Sequence, residues 1–335
     1  MFDWKEKRVL VTGATGFIGS WLTESLLDKG ASVSVLVKKD DPLGLGGISS
    51  IKDKLKIIYC DIRDREKIQK KVYGQEVIFH LAAITQVLFS IKNPQDTYDV
   101  NVNGTLNILE SARKSTIECF VFASTDKVYG EPRYLPIDES HPLSSKSPYD
   151  ASKIAADQLV SSYALTYGLP TSTARWSNTI GGRDCNILRA VPDFITSILY
   201  KKQLTIRGDG KHVRDYMYVK DAVAAIISLV ENRDVANREA FNFGTERPTS
   251  VHELANLIIK LMGMERKIHP SILSKNVDAE IREQYLSSKK AREKLRWSPK
   301  FRLEDGLKKT IEWYKENPSW YDLMQKVAKY YNLYD

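Results

Sequence analysis

Tyr149 and Lys153 stand four positions apart in Tyr149-Asp150-Ala151-Ser152-Lys153. On a helix both side chains leave the same face and reach one volume. A free tyrosine has a pKa of about 10, and a neighbouring ammonium favours its phenolate, the form that takes a proton from an alcohol. A lone Y-x-x-x-K is common on exposed helices and says little. It gains meaning from Gly13-Ala14-Thr15-Gly16-Phe17-Ile18-Gly19, which follows the apolar run Arg8 to Thr12 and opens an amphipathic stretch. Glycines in such a turn permit a tight bend, let the backbone approach a pyrophosphate and allow close helix–sheet packing, while the helix's first N–H groups face the anion. The combination predicts a dinucleotide beside an acid–base pair, which is the equipment of hydride transfer.

Two further segments bear on that chemistry. The second apolar run closes at Val37-Lys38-Lys39, where an NAD site usually carries an acid for the ribose 2′-hydroxyl. Two cations and no acid favour NADP over NAD, although Asp40 and Asp41 offset part of that field. Ser124-Thr125-Asp126-Lys127 follows the run Phe120 to Ala123, at the end of a strand where ligands of such sheets bind. In isolation Thr-Asp-Lys is an ordinary polar loop.

The elements that must position these groups alternate. Strands are expected at Arg8 to Thr12, Ser32 to Val37, Lys56 to Cys60, Val77 to His80, Phe120 to Ala123 and Thr171 to Arg175, with helices at Phe17 to Lys29, Pro94 to Lys114 and Tyr149 to Tyr167. This is the pattern of an α/β fold, a doubly wound, Rossmann-like parallel sheet. After Asn178 the pattern turns irregular and predicts a smaller, mixed α/β lobe. The expected division is a dinucleotide-binding domain of residues 1–178 plus about 213–245, and a second lobe of residues 179–212 plus about 246–335.

Bulk properties set the outer bounds. The 335 residues, 42% apolar and 27% charged, suit a folded enzyme-sized protein. The formal charge of +8 suits an anionic ligand, but its cations are interleaved with acids, which argues against nucleic acid as a partner. No apolar run is long enough to span a membrane and the N-terminal residues show no signal pattern, so a cytoplasmic protein is expected. Cys60, Cys119 and Cys185 are too few and too scattered for a metal site and are expected as free thiols.

Taken together, the motifs resemble the extended short-chain dehydrogenase/reductase family, and within it the sugar-nucleotide epimerases and dehydratases. The resemblance rests on TGATGFIG, Cys60-Asp61-Ile62, HLAA at His80 to Ala83, Asn101-Val102-Asn103-Gly104-Thr105, STDKVYG at Ser124 to Gly130, Tyr149 to Lys153, RWSNTIGG, RDYMYVKD at Arg214 to Asp221 and KAREKLRWSPK at Lys290 to Lys300, in the family's order. It implies that Gly13, Thr15, Gly16, Phe17, Ile18, Gly19, Lys38, Lys39, Asp61, Ile62, Leu81, Ala82, Ala83, Asn101, Tyr149 and Lys153 hold a tightly bound, recycled NADP or NAD. It implies a nucleotide-sugar substrate held by Thr125, Asn178, Arg189, Arg207 and Arg214.

Asp126-Lys127 is similar to CDP-glucose 4,6-dehydratases, whereas simple 4-epimerases usually carry small or neutral residues there. The implied reaction oxidises the sugar at C4 through Tyr149, Lys153 and Thr125, eliminates water across C5 and C6 through Asp126 and Lys127, and returns hydride to C6. CDP-glucose heads the implied substrates, followed by GDP-mannose and UDP-N-acetylglucosamine. Three readings stay open: a dehydratase, an NAD(P)-dependent 4-epimerase or 4-ketosugar reductase, and a dinucleotide-binding protein without catalysis. The resemblance also implies a homodimer through the helices Pro94 to Lys114 and Tyr149 to Tyr167.

Overall fold

Up to Tyr167 the short β-branched runs become strands and the longer amphipathic ones helices. The computed structural model describes residues 2–273 and 281–333. In chain order the strands are β1 (Arg8–Thr12), β2 (Ser32–Val37), β3 (Lys56–Tyr59), β4 (Val77–His80), β5 (Cys119–Ala123), β6 (Thr171–Trp176), β7 (Asn178–Ile180), β8 (Thr205–Arg207), β9 (Val213–Tyr218), β10 (Glu239–Phe243), β11 (Pro248–Ser250), β12 (Ser271–Leu273) and β13 (Glu283–Gln284). Parallel pairing joins seven of them in the order β10-β6-β5-β4-β1-β2-β3. The chain runs outward from β1 through β2 and β3, then returns to β4 on the other side. That reversal leaves a crevice at the carboxyl ends of β1 and β4.

Side-chain alternation along β1 builds two cores, one on each face of the sheet. Val9 and Val11 pack with Val33, Val35 and Phe79 beneath Leu22 and Leu26 of helix Phe17–Asp28 and Ile226 of helix Val219–Glu231. Leu10 points the other way, with Ile58, Ile78 and Phe120, beneath Ile108, Leu109 and Val160. Each such side chain contributes about 1.5–3 kcal/mol by leaving water.

The smaller lobe has its own sheet, in which β9 pairs with β7, β11 and β13, and its own core built from Phe194, Ile195, Leu254, Ile258, Leu307 and Met324 among others. This corrects the expected boundary near residue 213: β9 joins the small sheet, not the large one. Alternation explains why it reads ambiguously, because Met217 faces the large core while Tyr216 and Tyr218 face the small one. The next helix, Val219–Glu231, packs on the core of the large sheet, and β10 pairs with β6 at its edge.

The stretch Pro94 to Lys114 is also not one uniform helix. It runs as an α-helix over Pro94–Tyr98, a π-helical segment over Asp99–Gly104 and an α-helix over Thr105–Arg113. A Cβ at Gly104 would lie 2.6 Å from Ile62 Cδ1, so the wide turn sits where the backbone presses on the neighbouring segment. Cys60 and Cys119 are buried, Cys185 is partly so, and all three are free thiols.

Candidate active site

A groove of about 1090 Å³ opens at the crevice between β1 and β4 and continues into the small lobe. Its floor is the glycine turn. Gly13 adopts φ +72°, and a Cβ there would lie 2.7 Å from Ala82 N; a Cβ on Gly19 would lie 2.1 Å from Gly13 O. Only glycine permits these approaches. Helix Phe17–Asp28 begins at Gly16 with no side chain capping its first N–H groups and no acid in its first turn, so Thr15, Phe17 and Ile18 border a free helix N-terminus suited to a pyrophosphate. Buried Thr12 accepts the N–H groups of Leu81 and Ala82, at 3.2 and 3.1 Å, and thereby holds the Leu81–Ala83 wall. Asp61 and Ile62 line the far end, Asp61 being paired with Arg63 at 2.8 Å. Cradle, helix terminus and wall fit a dinucleotide.

Two predicted cofactor residues lie elsewhere. Lys39 is exposed and off the groove, because Val37 at the strand end points into the core and its near neighbour Lys38 takes the groove side. Asn101 is buried behind the wall, where its amide exchanges hydrogen bonds with the backbone of Ile84 and donates to Ser152 Oγ at 2.9 Å. It positions the wall and does not face the groove. Lys38 is itself engaged, with Asp40 Oδ2 at 3.5 Å and the Tyr330 hydroxyl at 3.4 Å. Burial lowers its pKa, but Tyr330, Asp40 and Asp61 outweigh this and hold the ammonium charged. Of the two lysines expected near a 2′-phosphate, Lys38 therefore lies on the groove and Lys39 off it.

The acid–base pair lies deeper. Helix Pro148–Tyr167 is started by a capping box between Ser147 and Asp150 with Pro148 in its first turn. Its buried face presents Tyr149, Ser152, Lys153, Ala156 and Asp157 at helical spacing. Tyr149 N donates to Ser90 Oγ at 3.1 Å, which fixes the helix entry. Lys153 Nζ donates to Ala123 O at 2.7 Å and lies 4.1 Å from the Phe122 ring centre.

The electrostatics differ from the expectation. Burial drives Lys153 down to about 7, with Asp157 opposing, and burial pushes the Tyr149 phenol up to about 12. The charge that most favours the phenolate is Arg189, not Lys153, and a hydrogen bond with Thr125 works in the same direction.

Thr125, Asp126 and Lys127 form a wall of the same groove, the first two buried and Lys127 partly so. Thr125 caps the short 3-10 turn Asp126–Tyr129 and donates to Asp126 Oδ1 at 3.1 Å. Asp126 is 3% exposed, and Lys127 Nζ lies 3.6 Å from Asp126 Oδ2. Lys127 also donates to Gln284 Oε1, and Gln284 Nε2 donates to Asp126 O at 3.0 Å. Burial pulls the Lys127 pKa below the ordinary lysine value and Arg214 adds to this, against the opposing fields of Asp126 and Asp150. Behind the turn, Arg175 and Asp157 form a buried pair at 2.8 Å; Asp157 also accepts from Ser124 Oγ at 2.8 Å, and Arg175 donates to the Tyr129 hydroxyl at 3.0 Å.

Toward the small lobe, Asn178, Arg189, Arg207 and Arg214 all line the groove. Arg189 is held by buried Asp184 at 3.1 Å. Arg207 sits half-exposed at the mouth, with Asp193 at 3.4 Å. Buried Arg214 donates to the carbonyls of Val213 and Ile281 at 2.8 and 2.6 Å. Gln284, Asp157 and Arg175 were not singled out in the sequence; the helical step from Lys153 to Asp157 was a signal for the second, and a two-residue strand offered none for the first.

Residues 10–310 match the family described as GDP-mannose 4,6 dehydratase. The chain belongs to this family. A putative UDP-glucose 4-epimerase of Methanocaldococcus jannaschii is 37% identical over 313 residues, covering 92% of this chain and 99% of the relative. The dTDP-D-glucose 4,6-dehydratase of Homo sapiens is 32% identical over 320 residues, 93% of this chain and 91% of the relative. The crystal structure of dTDP-glucose 4,6-dehydratase from Streptomyces venezuelae, with NAD bound, is 28% identical with a TM-score of 0.87, over 95% of this chain and 99% of that one. The protein is an NAD(P)-dependent nucleotide-sugar enzyme of the extended short-chain dehydrogenase/reductase kind, with the doubly wound α/β fold of its relatives. Among the described residues no helix is long and apolar enough to cross a membrane.

Proposed function

We propose that the protein is a 4,6-dehydratase that converts a nucleotide-linked glucose to the 4-keto-6-deoxyhexose with loss of one water. The observation that carries this reading is the pair of buried Asp126 and part-buried Lys127, set into the groove beside Thr125 and Tyr149 and held there by Gln284. When bound, the nicotinamide accepts hydride from C4 and returns it at C6, and the positive charge of its oxidised ring favours the Tyr149 phenolate.

Tyr149 takes the C4 hydroxyl proton while Thr125 orients that oxygen. Oxidation at C4 acidifies C5. Lys127, its pKa depressed by burial, removes the C5 proton, and Asp126 passes a proton to the departing C6 hydroxyl. Asn178, Arg189 and Arg214 are placed for the diphosphate, with Arg207 at the mouth nearer the nucleotide.

Glucose is the sugar named for both the bacterial and the human dehydratase relatives, and CDP-glucose is the first form to test because Asp-Lys after Thr125 resembles the CDP-glucose enzymes. Purified protein incubated with CDP-, UDP- and dTDP-glucose, GDP-mannose and UDP-N-acetylglucosamine is expected to form a product with the alkaline absorbance of a 4-ketosugar. A C4-inverted hexose without that absorbance replaces this reading with 4-epimerisation, which the Methanocaldococcus relative favours.

The resident cofactor in this reading is NAD, because Lys38 is already paired and Lys39 lies off the groove. Protein denatured without added cofactor is expected to release NAD; release of NADP alone overturns the assignment. The proposed homodimer places helix Pro148–Tyr167 at its interface, supported by Leu165 and Tyr167, which stand 72% and 54% exposed on that helix.

A further inference from the structure

The helix Trp320–Tyr330 lies outside the residues that match the family, 10–310, yet its last turn reaches the dinucleotide end of the groove. Val327, Tyr330 and Tyr331 line the groove together with Lys38, Asp41 and Phe89. On one side the Tyr330 hydroxyl accepts from Lys38 Nζ at 3.4 Å. On the other, the Tyr331 ring meets Phe89 edge-to-face at 5.0 Å, and Phe89 precedes Ser90, the residue that accepts from Tyr149 N. The two tyrosine rings also meet edge-to-face at 5.0 Å. A chain of contacts therefore runs from the loop after β2, across the groove, to helix Val87–Lys92.

The end of this helix is built, not frayed. Asn332 takes a left-handed φ of +48°, Asn332 N donates to Lys329 O at 3.2 Å, and Leu333 N donates to Ala328 O at 3.0 Å. These are the two hydrogen bonds of a Schellman ending, and buried Leu333 supplies its hydrophobic closure beside Ala328 in the small-lobe core. Met324 and Val327 are buried on the helix's inner face, while Leu323 Cδ2 comes within 3.9 Å of a Cβ built on Gly46, next to Thr15 O. The backbone orientation of Tyr330 and Tyr331 is thus set before any ligand arrives. Tyr331 shares this end of the groove with Asp41 and with Thr15 of the glycine turn.

We propose that Tyr330 and Tyr331 complete the cofactor site as a clasp, Tyr331 covering the pyrophosphate end and the Tyr330–Lys38 pair facing the adenosine ribose, so that the dinucleotide leaves only when the helix end lifts. The placement suits a reaction that returns its hydride each turnover and gains nothing from cofactor exchange. The proposal rests on the dinucleotide assignment and not on the choice between dehydration and epimerisation.

The test is the release rate of radiolabelled NAD from loaded protein chased with excess unlabelled NAD. Tyr331→Ala is expected to release NAD at least tenfold faster, and Tyr330→Ala, a half-exposed position that tolerates truncation, several-fold faster. Tyr200→Ala serves as the control, because Tyr200 stacks on Tyr321 of the same helix at 4.0 Å but lies away from the groove. It is expected to release NAD at the wild-type rate. Wild-type release from folded Tyr331→Ala and Tyr330→Ala overturns the clasp, as does equal acceleration in Tyr200→Ala, which marks general loosening. If Tyr331→Ala does not fold, Tyr330→Ala decides alone. Wild-type protein that retains no NAD refutes the dinucleotide assignment and the clasp with it.

Discussion

Tyr149→Phe is expected to leave the fold intact and to reduce hydride transfer from C4 by at least a hundredfold, in line with the ~10²–10⁴ contributed by a positioned acid or base. One oxygen is removed from a side chain that is 8% exposed, and the ring keeps its packing. Burial leaves the phenol raised to about 12 even with Arg189 and Thr125 acting on it, so little phenolate exists near neutral pH until the oxidised ring is bound. Removing Arg189 by Arg189→Met is therefore expected to move the rising limb of the pH–rate profile to higher pH, since the remaining groups favour the neutral phenol. The measurement is single-turnover growth of reduced-nicotinamide absorbance with a sugar nucleotide that the wild type oxidises. A loss of tenfold or less in Tyr149→Phe removes Tyr149 as the principal base.

What could be read from the chain before its structure follows from how local each determinant is. The Gly13–Gly19 turn was legible because its geometry is fixed within seven residues by a strand, three glycines and an uncapped helix start. The Tyr149–Lys153 face was legible for the same reason, being one helical turn. The charge environment of that pair was not, because burial outweighs proximity: Lys153 spends its donor on Ala123 O and falls to about 7, while the effective cation comes from Arg189, forty residues on. Lys39 and Asn101 were misplaced because a motif position does not say which way a side chain points. Gln284 belongs to a two-residue strand and meets Lys127 from 157 residues away, and Tyr331 reaches the cofactor groove from beyond the family's matched segment. Such contacts are settled by tertiary packing and leave no periodic trace.

The second large effect separates oxidation from elimination, and it turns on the same Asp126–Lys127 pair that carries the proposed function. In Asp126→Asn the Tyr149 and Lys153 machinery remains, so hydride still leaves C4; without the proton on its way to the C6 hydroxyl, water does not depart. The variant is expected to accumulate reduced cofactor and to form 4-keto-6-deoxy product at least a hundredfold more slowly. Lys127→Met is expected in addition to slow exchange of the C5 proton with solvent deuterium, which reports on the base itself.

The pH dependence follows from the sign of the Lys127 shift. Only the neutral amine takes a proton, and burial with Arg214 lowers its pKa, so elimination rises with pH through a midpoint below the ordinary lysine value of about 10.4. Gln284→Glu places a carboxylate where the amide oxygen now accepts from Lys127, which stabilises the ammonium and moves that midpoint to higher pH while C4 oxidation proceeds unchanged. Wild-type formation of 4-keto-6-deoxy product in both Asp126→Asn and Lys127→Met, with C5 exchange unaffected, leaves the pair as a structural turn and moves the roles of C5 base and C6 acid to other residues of the groove.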